Sequence, residues 1–431
     1  MKKTLVTAGI LLAFSAQAQV LPAPSWMPEA TLYQVFIRNH TPEGTFKAAT
    51  ARLQEIQNLG VNTVYLLPFY PTGEKQRKGT LGSPYSIKDY TAVDPRQGTL
   101  QDFQNFVKEA HRLGLRVVID IVFNHTAWDH PWTTDHKDWY RQNPQGDIIA
   151  PNPEWTDVAA LDTSHPEVQQ KLIEVGLFWL QQGVDGFRAD YSGGVPLSFW
   201  QKFRPAMKAF NPEVLLLAET GDAPYHDRAF DLSYDWDGMS RAVGVAKLLI
   251  SANRFFDHPT FESTMVSNIP KLRYLENHDQ ERIGSKLNSL PVLKAAAGLL
   301  LTEPGVPLIY AGQEVGLTER PSLFDPAPLD WAKGNPALKE TYQKLLTVRA
   351  KLPALHTGGL RLVAGQPRNV AAFVRFTPEQ KAVVLINFSG EAQEVNLPWA
   401  RTWFDQVSGR AIAGGTWKLQ PGETQILLDR P

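Results

Sequence analysis

Within "VDGFRADYSGG" (residues 184–194), Arg188 stands two residues before Asp190. In an extended strand residues i and i+2 point to the same side, so two opposite charges would be aimed at one spot. Such a pair is either a structural ion pair or a reactive carboxylate beside a cation. Other polar residues sit in similar settings, each at the end of an apolar run. "DIVFNH" presents Asp120, Asn124 and His125; "LLLAE" ends on Glu219; "YLENHD" ends on Asn277, His278 and Asp279. A carboxylate that ends a buried apolar strand is costly unless paired. Each alone fits a cap or an ion pair equally well. Jointly they offer carboxylates from three different strands, with two histidines and one arginine. Two carboxylates flanking a bond, one as acid and one as nucleophile or base, is the arrangement that glycoside hydrolysis requires.

The elements that must position these groups alternate between two kinds. Strand-like apolar runs occur at residues 31–37, 61–68, 115–123, 184–190, 214–219, 231–236, 271–277 and 306–312. Several are unbroken Val/Ile/Leu runs, the pattern of parallel strands buried on both faces. Between them lie helix-period segments such as "TFKAATARLQEIQNLG", "TLQDFQNFVKEAHRLG" and "PEVQQKLIEVGLFWLQQG". These three end on Gly60, Gly114 and Gly183, where a glycine closes a helix just before the next strand. Eight such strands alternating with helices predict an α/β fold, a (β/α)8 TIM barrel. An open doubly wound sheet is the alternative. In a barrel, strand C-terminal ends share one rim, and that is where the polar residues fall.

The segment after the third strand is aromatic and proline-bearing, and too long for an ordinary connection, so it reads as a small insertion subdomain over the barrel mouth. After about Leu355 the pattern turns to alternating segments separated by turn residues, predicting a C-terminal antiparallel β-sandwich. The division expected is a signal peptide over 1–18, barrel over 19–124, insertion over 125–164, barrel again over 165–355 and sandwich over 356–431. The leader rests on Lys2 and Lys3, the apolar "LVTAGILLAFSA" and the Ala16-Gln17-Ala18 cleavage pattern. The apolar run is too short to span a bilayer. A secreted or periplasmic protein without stable membrane insertion is therefore expected. The chain contains no cysteine, so no disulfide framework accompanies export. Its 43 Lys plus Arg nearly balance 44 Asp plus Glu, which favours neither a nucleic-acid nor an anionic-membrane partner. A 431-residue chain that is 43% hydrophobic holds a sizeable core.

The quoted motifs resemble the signatures of the α-amylase family of glycoside hydrolases, in order along nearly the whole mature chain. "DIVFNH" is similar to the first signature, "GFRAD" to the second, the strand end at Glu219 to the third and "ENHD" to the fourth. "GSPYSIKDY", "AALD" and "YAGQE" add to the likeness. The resemblance implies a retaining mechanism on an α-glucan, with no cofactor required for the chemistry. Asp190 would be the nucleophile, Glu219 the acid/base and Asp279 the stabiliser of the distorted sugar. Arg188 would keep Asp190 ionised, because a nearby cation favours the charged carboxylate, and Glu219 would need a raised pKa. His125 and His278 would bind sugar hydroxyls, and Tyr85 would stack under the ring at the cleavage subsite.

One departure bears on metal and specificity. The family follows its second signature with a Lys-His pair tied to substrate binding and calcium, whereas Asp190 is followed here by Tyr191, Ser192, Gly193 and Gly194. Asn124 matches a calcium-ligand asparagine, and Asp157 and Asp162 could add oxygen ligands, so a structural calcium stays open. The leading expectation is a monomeric, exported hydrolase of α-1,4 bonds in starch or maltooligosaccharides. The alternatives are a transglycosylase or an α-1,6-acting glucosidase on the same scaffold. A non-catalytic carbohydrate-binding protein is disfavoured by the presence of all three carboxylates.

Overall fold

The structure is a computed structural model that describes residues 21–256, 270–399 and 401–430. The leader expected over residues 1–18 lies outside them. Eight parallel strands close a barrel: β1 (Leu32–Val35), β2 (Thr63–Leu66), β3 (Arg116–Ile121), β4 (Gly186–Ala189), β5 (Leu215–Ala218), β6 (Leu232–Tyr234), β7 (Lys271–Tyr274) and β8 (Val306–Tyr310). Each pairs with its neighbours in chain order, and β8 returns to β1 with Leu308 opposite Leu32. The open-sheet alternative is thereby excluded.

The apolar runs look continuous because both faces are buried. Leu215 and Leu217 of β5 belong to the cluster inside the barrel, while Leu216 and Ala218 pack outward in the helix layer. At about 25 cal/mol per Å2 of apolar surface, burying such side chains contributes roughly 1.5–3 kcal/mol each. The helices match their expected segments with one interruption. The first divides at Arg52 into Phe46–Ala51 and Leu53–Leu59, because Arg52 leaves helical geometry at ψ −2°. Gly60 closes the second piece at φ +103°, a conformation that a side chain would disfavour.

The segment between β3 and the helix Pro166–Gln181 carries a short antiparallel pair, His125–Ala127 with Val158–Ala160. This hairpin starts two residues after the "DIVF" run, so it ties the insertion directly to the β3 rim. The C-terminal part is a six-stranded sheet facing a two-stranded one, antiparallel throughout. Val370, Val383, Leu385, Val395, Trp403 and Leu419 fill the space between the two. The other face of the larger sheet, with Phe373, Val384 and Ile386, joins the barrel's outer core. Among the described residues no helix is long and apolar enough to cross a membrane.

Candidate active site

The rim at the C-terminal ends of the strands holds a cleft of about 660 Å3. Tyr85, His125, Asp190, Glu219, His278 and Asp279 all line it, and Arg188 lies directly beneath. They arrive from the segments that follow β2, β3, β4, β5 and β7. On β3 and β4, Asp120 stands opposite Arg188.

Arg188 is the hub. It is fully buried, and its Nη1 donates to Asp120 Oδ1 at 2.9 Å and to Asp190 Oδ1 at 2.9 Å. Its Nη2 forms an ion pair with Glu219 Oε1 at 2.6 Å. One guanidinium thus faces three carboxylates. That changes the expected electrostatics of Asp190. Burial pushes its carboxyl up to about 7, and Arg188 only partly opposes this while the anions of Asp120 and Asp279 add to the rise. Arg188 thus acts on Asp190 in the expected direction, favouring the anion, but a cation shared three ways does not cancel the rise that burial causes. Glu219 behaves as an acid should. Burial raises it to about 7, opposed by Arg188 and reinforced by Asp190. The carboxyls titrate as a coupled set, and near neutrality the set holds shared protons. One acid and one carboxylate can then coexist at the same pH, which is the state a two-carboxylate mechanism uses.

The backbone N–H of Tyr191 donates to Glu219 Oε2 at 2.7 Å. Tyr191 itself is left-handed, at φ +39° and ψ +47°. A bulky residue in that region is strained, and such strain collects at functional sites. On the opposite wall, Tyr85 donates to Asp120 Oδ2 at 3.1 Å and lies 2.6 Å from His278 Nε2. The two rings stack at 5.6 Å. His278 Nε2 also sits 3.2 Å from Asp279 Oδ2, and its Nδ1 meets the Gln34 amide at 3.1 Å. Burial lowers both His278 and His125 to about 4, so each is a neutral imidazole suited to bonding hydroxyls.

Sequence reasoning missed several residues of this site. Tyr65 donates to Asp120 Oδ2 at 2.9 Å, and Gln34 orients His278. Gln34 left a signal, as the lone polar residue inside the apolar "LYQVFI". Trp155, Tyr191, Trp236 and Phe324 also line the cleft. Tyr191 is 46% exposed and Trp236 38%, so both present aromatic surface to the cleft.

The oxygens offered for calcium do not form one cage. Asp157 is paired with Lys78 at 2.9 Å, and Asp162 accepts from the Ser164 backbone and hydroxyl. The carbonyl of Gly194, at the departure from the family pattern, faces the Arg141 guanidinium at 3.4 Å. Asn124 turns its amide nitrogen toward His125 Nδ1 at 3.2 Å. Among the described residues no group of three or more acidic or histidine side chains is placed to hold a metal. The glycine at 194 has a local reason, since a side chain there would meet the Tyr191 ring at 2.3 Å.

A closed eight-stranded barrel with paired acids and an arginine on its C-terminal rim, under an inserted hairpin, defines a barrel glycoside hydrolase. The chain belongs to the α-amylase family, whose catalytic domain matches residues 29–354. It is similar to an alpha-amylase from Lactobacillus plantarum, with 32% identity, a TM-score of 0.85 and coverage of 93% of this chain and 98% of that one. A noncanonic maltogenic alpha-amylase from Thermotoga neapolitana shows 30% identity and a TM-score of 0.84, again over 93% and 98% of the two chains. Neopullulanase 2 of Thermoactinomyces vulgaris is 28% identical over 95% of this chain and 78% of its own length.

Proposed function

We propose that this glycoside hydrolase is a retaining enzyme acting on short α-glucans that contain α-1,4 and α-1,6 bonds. The observation that carries the reading is the sharing of Arg188 by Asp190 and Glu219 in one cleft. A proton retained on Glu219 passes to the glycosidic oxygen as the bond to the anomeric carbon breaks. Asp190 forms the new bond to that carbon, and Asp279 faces the positive charge that develops in the ring. Glu219, now ionised, takes a proton from water, whose oxygen displaces Asp190. Tyr85 offers a ring face beneath the sugar. His125 and His278, both neutral, offer nitrogens to its hydroxyls.

The likeness to proteins named neopullulanase and maltogenic alpha-amylase favours mixed-linkage substrates over the purely α-1,4 hydrolysis of starch or maltooligosaccharides expected from sequence. Exposed aromatic surfaces on the Glu219 side, Tyr191 and Trp236, can hold a second sugar where water must otherwise enter. That favours some transfer to sugar acceptors beside hydrolysis. The leader-like N-terminus supports export as part of the same proposal.

The test compares kcat/KM on maltotriose, panose and soluble starch, with products resolved by chromatography. The reading requires cleavage of both trisaccharides, including one α-1,6 bond, at higher efficiency than starch per chain end. Activity confined to long starch chains would refute it.

A further inference from the structure

The cleft differs at its two ends. Glu219 protonates the leaving oxygen, so the side of Tyr191 and Trp236 receives the leaving portion of the substrate. The opposite side, beyond Tyr85 and His278, receives the portion that ends at the non-reducing terminus. On that opposite side the loop after β2 is fastened at both ends. Lys78 Nζ pairs with Asp157 Oδ1 at 2.9 Å and donates to the Glu154 carbonyl at 2.8 Å, both on the insertion. Two residues on, Thr80 donates from its backbone N–H and its hydroxyl to Asp325 Oδ1, each at 2.9 Å, in the loop after β8. The Leu81 N–H reaches the Phe324 carbonyl at 2.8 Å. Beneath, Arg38 donates to the Gly82 carbonyl at 2.9 Å.

These contacts set the backbone of the loop after β2 directly against the loop after β8 and tie it to the insertion. Even one carbon added at Gly79 would lie 2.6 Å from Phe324 Cβ and 2.8 Å from its carbonyl oxygen. A sugar chain is far wider than a single carbon. Lys78 and Phe324 also line the cleft, so the barrier faces the substrate.

We infer that the Lys78–Thr80 segment, fastened to Asp157 and Asp325, walls the non-reducing side of the cleft and makes the enzyme exo-acting. The substrate class is then α-glucan with a free non-reducing end, seated against the wall, and one short product of fixed length is released. This rests on the hydrolase reading above and specifies the direction in which its substrate enters. A ligand excluded by fixed backbone contact is rejected through kcat/KM and not merely slowed in product release.

The experiment uses the full-length enzyme with maltoheptaose, and with maltoheptaose whose non-reducing-end sugar carries a 4,6-benzylidene cap. Early products are resolved by chromatography. A wall predicts one dominant short product from the free substrate and at least about tenfold lower kcat/KM on the capped one. Lys78→Ala combined with Asp325→Ala should raise the capped-to-uncapped ratio by about tenfold by loosening both fastenings. Equal rates on the two substrates, with a spread of product lengths from the wild-type enzyme, would overturn the wall. That wild-type comparison decides the matter even where the double variant does not fold. Cleavage of neither substrate would instead refute the hydrolase reading, and the wall with it.

Discussion

Replacing the proposed nucleophile by its amide should stabilise the protein, and by an amount that depends on pH. Asp190 has a side chain only 12% exposed, beside the fully buried Arg188. Its carboxyl rises from 3.8 to about 7 in the folded protein, mainly through burial. The folded state therefore binds the proton more tightly than the unfolded chain does. The associated stability is complete below pH 3.8 and is lost as pH rises through about 7. The amide introduced by Asp190→Asn bears no charge at any pH, so the variant does not suffer this loss. The gap of about three pH units, at ~1.36 kcal/mol each, sets a ceiling of roughly 4 kcal/mol above neutrality. Arg188 still faces Asp120 and Glu219 in the variant, so the cation keeps anionic partners. A gain of about 2–4 kcal/mol at pH 8 corresponds to a rise of several degrees in Tm. Thermal unfolding of both proteins from pH 4 to 9 measures it. The difference should be near zero at pH 4, grow through pH 5–7 and level off above. A difference that is independent of pH, or a variant less stable than wild type at pH 8, would refute this account of the cluster.

The proposed mechanism needs Glu219 protonated, and its carboxyl is raised to about 7; kcat/KM should therefore fall about tenfold per unit above neutrality. A decline already centred near pH 5 in the pH–rate profile would contradict that. Tyr85→Phe keeps the ring but removes the hydroxyl that contacts Asp120 and His278. Steady-state kinetics should show roughly a 10- to 100-fold loss in kcat/KM, the scale of a hydrogen bond to a charged group; Tyr85→Ala, which also deletes the stacking face, should lose more. Since Asp157 and Asp162 are already partnered, we propose that calcium does not hold the insertion in place. Chelation should then shift Tm by less than about 2 °C, and a larger drop would show a bound ion contributing to stability.

The barrel could be read from sequence because its strands are buried on both faces, as β5 shows: Leu215 and Leu217 face inward while Leu216 and Ala218 face the helices. Such runs stand out without any tertiary information. Two C-terminal strands, Gly359–Leu362 and Ala411–Ala413, are edge strands with much exposed surface, so no alternation marks them in the sequence. The rim residues were legible because a charge at the end of an apolar strand is conspicuous. Their electrostatics were not, since the pairing of Arg188 with Asp190 is local in sequence but the competition from Asp120 and Glu219 is not. Contacts across hundreds of residues, such as Thr80 with Asp325, leave no trace in local pattern. Nor does Tyr191, whose backbone is left-handed and whose N–H donates to Glu219.

The central claim is that Asp190 becomes bonded to the sugar while Glu219 acts as acid and base. It is tested most directly by trapping the intermediate on a Glu219→Gln variant with a 5-fluoro-α-glucosyl fluoride, followed by peptide mapping by mass spectrometry. The good leaving group removes the need for the acid, and the fluorine slows release of the sugar. The account predicts one glucosyl adduct, located on Asp190. A label on another residue, or turnover to β-configured product without any adduct, would contradict it.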